Sequence, residues 1–241
     1  MASDLWEAIA EDLAELARLH GREIDHPTLL ALSSVDFPSS LALLPKDEAG
    51  KAAYKMLQAA VEAITPAELD ELAADYAAIY LSNRYGASPY ESVWLDDDHL
   101  TCQQPMFELR EIYASAGLCL DQGEKRYDDH LVFQLEYLRH QLLKPEPDLV
   151  ALEAFMDEHI GYWLPDFAGR VAQFADTAFY AGLAVVTGSW LNSLRTLISD
   201  MTGHPIPSRD AITVKINHKL AINKADVAPI HFISGATGPS W

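Results

Sequence analysis

Cysteine is nearly missing from this chain: Cys102 and Cys119 are the only two in 241 residues. Two thiols cannot form a disulfide framework, and they lack the paired spacing of a zinc site, so a reducing compartment is expected. Positive charge is scarce as well, with 17 Lys and Arg against 36 Asp and Glu and a formal net charge of -19. That balance argues against a nucleic-acid backbone or an anionic membrane as partner; it favours a basic partner and also keeps the chain soluble. Long apolar runs are absent. The most apolar stretch, AFYAGLAVVTGSWL at 178–191, falls short of the roughly 20 residues that cross a bilayer and reads as a buried helix. The amino terminus, MASDLWEAIAEDLAELARLHGRE, has no basic start leading into an apolar core, so no secretory signal and a cytoplasmic location are expected.

Catalytic signatures are missing too. There is no H-E-x-x-H pair, no glycine-rich loop ending in Lys-Ser or Lys-Thr, and no Gly-x-Ser-x-Gly elbow. The nine histidines are scattered, and none lies four residues from another. No cofactor is expected on these grounds.

What the chain does contain is helix after helix, which predicts an all-α fold. Trp6, Ile9, Leu13 and Leu16 recur at spacings of three and four behind a capping Ser3. A short helix is expected after His26, and another from Asp47 to Ile64. Thr65, Pro66 and Glu68 make a capping box with proline at the first helical position. In the helix that follows, Leu69, Leu72, Tyr76, Ile79 and Tyr80 share a face. RYGASPYESVWLDDDHL (84–100) then reads as an ordered loop, with residues 96–98 as a solvated acidic turn. The helical period returns from Gln104 to Ala116, closed by Gly117, and again in the row Leu131, Leu135, Leu138 and Leu142. Residues 148–200 are helical in period, with interruptions expected near Gly161 and Pro165. Trp163, Pro165, Phe167, Phe174, Phe179, Tyr180 and Trp190 read as architecture. The expected division is a helical domain over 1–202 and an extension over 203–241, the latter richer in lysine than in acid, with a short strand at AITVKIN. Hinges are expected near 117–128 or 144–148.

One cluster invites chemistry: RYDDHLVFQLEYLRH (126–140) sets Asp128, Asp129 and His130 before an apolar run. An aspartate there caps a helix and suits its positive end. His130 is disfavoured as a cation by that end and favoured as one by the carboxylates, and a solvated surface position is the expectation for it.

Four segments in order carry a resemblance: YAAIYLS, ASPYESVWLD, YDDHLVFQLEYL, and FMDEHIGYWLPDFAGRVAQFADTAFYAGLAVVTGSWL. Over roughly residues 5–200, judged by motif order and helix pattern, the sequence resembles the TorD/DmsD family of redox-enzyme maturation chaperones. The resemblance implies a cytoplasmic chaperone that binds the twin-arginine signal peptide and mature part of a molybdopterin-containing oxidoreductase. It would assist cofactor insertion and delay export until folding is complete. The implied peptide-binding surface falls on Tyr76, Ile79, Tyr80, Pro89, Tyr90, Glu91, Ser92, Asp129 and His130. Within it, Glu91 and Asp129 are expected to pair with arginine, and Ile79, Tyr80 and Tyr90 to cover the peptide's apolar part. The resemblance leaves monomer and domain-swapped homodimer open and names no client. Two rivals belong to other classes: a metal-dependent hydrolase built on Asp128, Asp129 and His130 with His99 or Glu91, and a guanine-nucleotide-regulated switch.

Overall fold

A computed structural model describes residues 2–95 and 99–226. The chain divides into two compact units, residues 1–206 and 207–241. The first is built entirely of helices, because its apolar residues recur at helical spacing and its polar residues stand where helix ends need partners.

Helix α1 (Ala2–Gly21) buries Ile9, Leu13, Leu16 and Leu19 completely along one stripe. Helix α2 (His26–Ser34) starts where the Asp25 carboxylate accepts the Thr28 amide at 2.8 Å. Helix α3 (Glu48–Ala63) starts where Asp47 accepts the Gly50 amide at 2.7 Å. The capping box at Thr65 and Glu68 closes a 3-10 turn (Pro66–Glu68), which feeds α4 (Leu69–Tyr76) and then a π-helical turn (Ala77–Leu81). A π turn inserts one extra residue. Here it turns Ala78, Ile79 and Tyr80 inward and leaves Leu81 exposed.

Within the expected loop lies a one-turn helix, α5 (Ser92–Leu95). The turn expected at 96–98 lies outside the described residues. Helix α6 (Gln104–Ser115) ends at Ala116 and Gly117, the latter at a left-handed φ of 77° that glycine adopts without strain. Helix α7 (Leu131–Leu142) buries its leucine row, α8 (Leu149–Glu158) is capped by Asp148, and α9 (Ile160–Phe174) follows after a break at His159. That break is the interruption expected near Gly161, while the one expected near Pro165 does not occur, and α9 carries the proline inside it. As the sixth residue of α9, Pro165 forfeits one backbone bond of the helix. Phe174 departs from the architectural reading, being 40% exposed and stacked on Tyr85.

Helix α10 (Ala178–Thr202) is capped by Thr177 and ends at Gly203 in the left-handed region. It forms the centre of the unit, packed chiefly on α3 and α9, while α1 packs on α7. Close approach of α3 and α10 depends on glycine: a Cβ at Gly182 would stand 2.9 Å from the Cβ of Leu57 and 3.2 Å from its backbone. The core joins Trp163, Phe167, Tyr180 and Trp190 to the leucines of α1 and α7. Asp12, on the inner side of α1, accepts from Trp190 Nε1 and the Ala42 amide, both at 2.8 Å. It thereby fixes the 35–47 connection to the core.

In the second unit, α11 (Arg209–Asp226) corrects the expected strand, since AITVKIN lies inside it. The Ser208 hydroxyl accepts the Ala211 amide at the helix start. A lone β-branched run has no neighbouring strand to satisfy its backbone, whereas a helix bonds to itself. No strand occurs among the described residues, only an isolated antiparallel bridge between Tyr90 and His130.

Candidate functional site

The bridge gathers Pro89, Tyr90, Glu91, Ser92, Asp129 and His130 of the implied surface, while Tyr76, Ile79 and Tyr80 stand on α4 and the π turn. Leu131 N donates to the Pro89 carbonyl at 2.8 Å and Glu91 N to the Asp129 carbonyl at 3.1 Å, pinning residues 89–91 to the start of α7. The three polar residues there face different ways. Asp128 pairs with Arg110 at 2.8 Å. Asp129 Oδ2 accepts the Ser92 amide at 2.9 Å, so its carboxylate caps α5. His130 itself is the N-cap of α7, its Nδ1 accepting the Val132 amide at 3.2 Å. The expectation that an aspartate opens α7 is thus corrected. An imidazole nitrogen supplies the acceptor, and the aspartates serve other elements.

His130 is not a solvated histidine either, being 3% exposed. Burial, with help from Arg126, pushes its pKa down to about 3. It is neutral, and because Nδ1 accepts, Nε2 carries the proton. Its ring meets the Tyr90 ring edge-on, centroids 4.9 Å apart.

Beneath Tyr90 lies a buried acidic group. Glu91 and Asp129 are both 0% exposed. Glu91 Oε1 bonds His159 Nδ1 at 2.8 Å, and Glu108 stands 4.0 Å from the other ring nitrogen. One oxygen of each buried carboxylate, Glu91 Oε2 and Asp129 Oδ1, has no hydrogen-bond partner, nor has the Tyr113 hydroxyl. Desolvation raises the pKa of Glu91 against the pull of His159, and that of Asp129 against its bonds from Ser92. The pairing of Glu91 and Asp129 with a surface arginine, expected from the sequence, does not fit this conformation: both are covered.

The tyrosines divide into an inner and an outer set. Tyr76 and Tyr80 stack at 4.7 Å and are each 6% exposed. The Tyr80 hydroxyl lies 2.6 Å from His20 Nδ1, and His20 Nε2 lies 2.9 Å from the Thr187 hydroxyl. That hydroxyl donates to the Leu183 carbonyl. Thr187 therefore accepts from His20 Nε2–H, and Tyr80 donates to Nδ1. Burial holds His20 neutral, its pKa pushed down to about 3. Ile79, Pro89 and Ser92 are buried as well. Tyr90 is half-buried and Tyr127 is 42% exposed, their rings 5.9 Å apart. Arg126 lies over the Phe133 ring at 5.1 Å and is held by Glu124 at 2.6 Å.

Sequence reasoning passed over His20, His159, Tyr127 and Arg126. The last two open the stretch 126–140, and that position was the available signal; the histidines stand far from their partners in sequence. Asp128, Asp129 and His130 do not converge, and His99 bonds the Val93 carbonyl instead. Among the described residues, no three His, Cys, Asp or Glu side chains are grouped to hold a metal ion.

A family model described as nitrate reductase delta subunit matches residues 45–169. That stretch spans α3 to α9, more than half of the chain. The chain belongs to the TorD/DmsD family of maturation chaperones. Among relatives, the chaperone protein TorD of Shewanella pealeana is 30% identical over 187 residues, covering 74% of this chain and 84% of the relative. That of Vibrio parahaemolyticus is 29% identical over 195 residues, covering 74% and 90%. That of Shewanella piezotolerans is 29% identical over 197 residues, covering 78% and 91%. Family membership brings a non-enzymatic role, and the geometry offers an aromatic edge over buried carboxylates. No helix among the described residues is long and apolar enough to cross a membrane.

Proposed function

We propose that this protein is a cytoplasmic chaperone of a molybdopterin-containing oxidoreductase. It binds the enzyme's twin-arginine signal peptide and part of its mature domain, assists cofactor insertion, and delays export until the enzyme has folded. The observation that carries the reading is the pair Glu91 and Asp129, buried with one unpartnered oxygen each behind the half-exposed ring of Tyr90. Unpaired acceptors are costly unless something meets them. A guanidinium group is a strong partner for a carboxylate and also packs on aromatic faces. In this reading Tyr90 and Tyr127 meet the peptide first, and Tyr76, Ile79, Tyr80, Pro89, Ser92 and His130 hold the frame. The two backbone bonds of the bridge open to let an arginine reach Glu91 or Asp129.

Calorimetry with a client's signal peptide and its Lys–Lys variant tests this. The expected result is binding of the twin-arginine form at least about ten-fold tighter, one bidentate pair being worth that much. Equal affinity for both, or none for either, would overturn it. Glu91→Gln is expected to weaken the twin-arginine form selectively while leaving the melting temperature close to that of the parent.

A further inference from the structure

Away from the Tyr90 edge, an open groove of about 590 Å³ runs between α6, α7 and residues 118–120. Its floor and walls are apolar, with Leu118, Leu120, Phe133, Tyr137, Leu143 and Pro145. Leu143 is 45% exposed there. A second depression of about 420 Å³ shares Tyr113 and residues 118–120 with it and continues to Tyr127. Two joined depressions suit an extended or helical segment better than a compact small molecule.

Its charge is opposite to that of the molecule. Against 17 basic and 36 acidic residues in the chain, the two depressions are lined by Arg110, Lys125, Arg126, Arg139 and Lys144 and only three acids, Glu124, Asp128 and Glu136. Each acid is already paired, Asp128 with Arg110, Glu124 with Arg126 and Glu136 with Arg139. Lys125, Lys144 and the ring of His140 are therefore surplus donors. Behind the lining, His140 Nδ1 is buried without a partner.

We propose that this groove is a second docking surface, which takes an apolar peptide segment carrying carboxylates and belonging to the client's mature part, not to its basic leader. Apolar side chains of the segment fill the Phe133 and Leu143 side, and its carboxylates meet Lys144, Lys125 and His140. The identity of the partner rests on the chaperone reading; the chemistry of the groove does not.

The test uses the full-length protein and a short fluorescein-labelled peptide with leucines at helical spacing and glutamates between them, beside its glutamine and lysine counterparts. The glutamate peptide is expected to bind at least about ten-fold tighter than the lysine peptide, as complementary charges across an apolar contact imply. Lys144→Glu should abolish the preference and Leu143→Asp should weaken binding of the glutamate and glutamine peptides, each with an unchanged melting temperature, since both residues are exposed. The second depression ends at Tyr127, which the twin-arginine peptide also meets, so the glutamate peptide is kept short enough to fill the Phe133 and Leu143 side alone, and at that length it should not displace a bound twin-arginine peptide. Equal binding of the glutamate and lysine peptides, or a preference that survives Lys144→Glu, would overturn the proposal. So would displacement of the twin-arginine peptide, or a dimer in sedimentation that Leu143→Asp dissolves, which would assign the groove to a second copy. Failure of the twin-arginine peptide to bind while the glutamate peptide binds would sink the signal-peptide reading and leave this one standing.

Discussion

At the residue scale, the histidines govern how stability responds to acid. His20 and His130 both have pKa values pushed from 6.5 to about 3. The unfolded chain therefore takes up protons below 6.5 that the native chain refuses until about 3. Their contribution is complete above 6.5 and is lost as pH falls through that window, at about 1.4 kcal/mol per pH unit for each histidine. Glu91 and Asp129 work in the opposite sense, because their pKa values are raised and protonation relieves a burial cost. His130→Asn keeps an acceptor for the Val132 amide and removes one titration. Thermal melts between pH 7 and 4 should show a shallower acid loss for it than for the parent, and parallel curves would refute the assignment. Asp129→Ala removes the cap of α5 and should cost about 1 to 2 kcal/mol by denaturant unfolding; no loss would mean that Ser92 finds another acceptor. The pattern placed Asp129 and His130 at a helix entrance, with an aspartate as the cap and His130 in solvent, whereas His130 is the buried cap of α7 and Asp129 serves α5. The difference is a tertiary matter: the Ser92 amide that claims Asp129 lies 37 residues away.

At the element scale, legibility followed the caps. Asp47 and Ile64 bound α3 as the pattern indicated, and the box at Thr65 and Glu68 is formed, because caps act on neighbours in sequence and need no distant partner. The strand expected at 211–217 failed for the converse reason: β-branched residues make a strand only where another strand receives them. The π turn after α4 was not visible, since apolar spacing does not distinguish four residues per step from five. Packing between elements makes its own prediction. Gly182→Ala puts a methyl group against Leu57 at the crossing of α3 and α10 and should destabilise by about 1 to 3 kcal/mol. Gly169→Ala, exposed on α9 with nothing within 4 Å of the new methyl group, should stabilise by about 0.5 to 1 kcal/mol. If the two variants unfold at the same denaturant concentration, helix propensity outweighs the crossing and the glycine argument is wrong.

At the scale of the whole molecule, a net charge of -19 sets a field that both proposed partners must cross. A twin-arginine peptide is drawn in by it and an acidic segment is repelled, although the groove lined by Lys125 and Lys144 attracts the latter at contact. Salt separates the two. The Debye length is about 30 Å at 0.01 M and about 10 Å at 0.1 M, so added salt removes the long-range field before it weakens contacts. In stopped-flow measurements the association rate of the twin-arginine peptide should fall about ten-fold or more between those concentrations. That of the glutamate peptide should rise or hold over the same interval, because screening lifts the repulsion of the body while the lysines at the groove still act at short range. Opposite slopes report the sign of each peptide against the field of the body, and the separate surface is read from Lys144→Glu, which should slow the glutamate peptide and leave the twin-arginine rate nearly unchanged. If Lys144→Glu slowed both peptides alike, they would share one surface and the groove would lose its separate role.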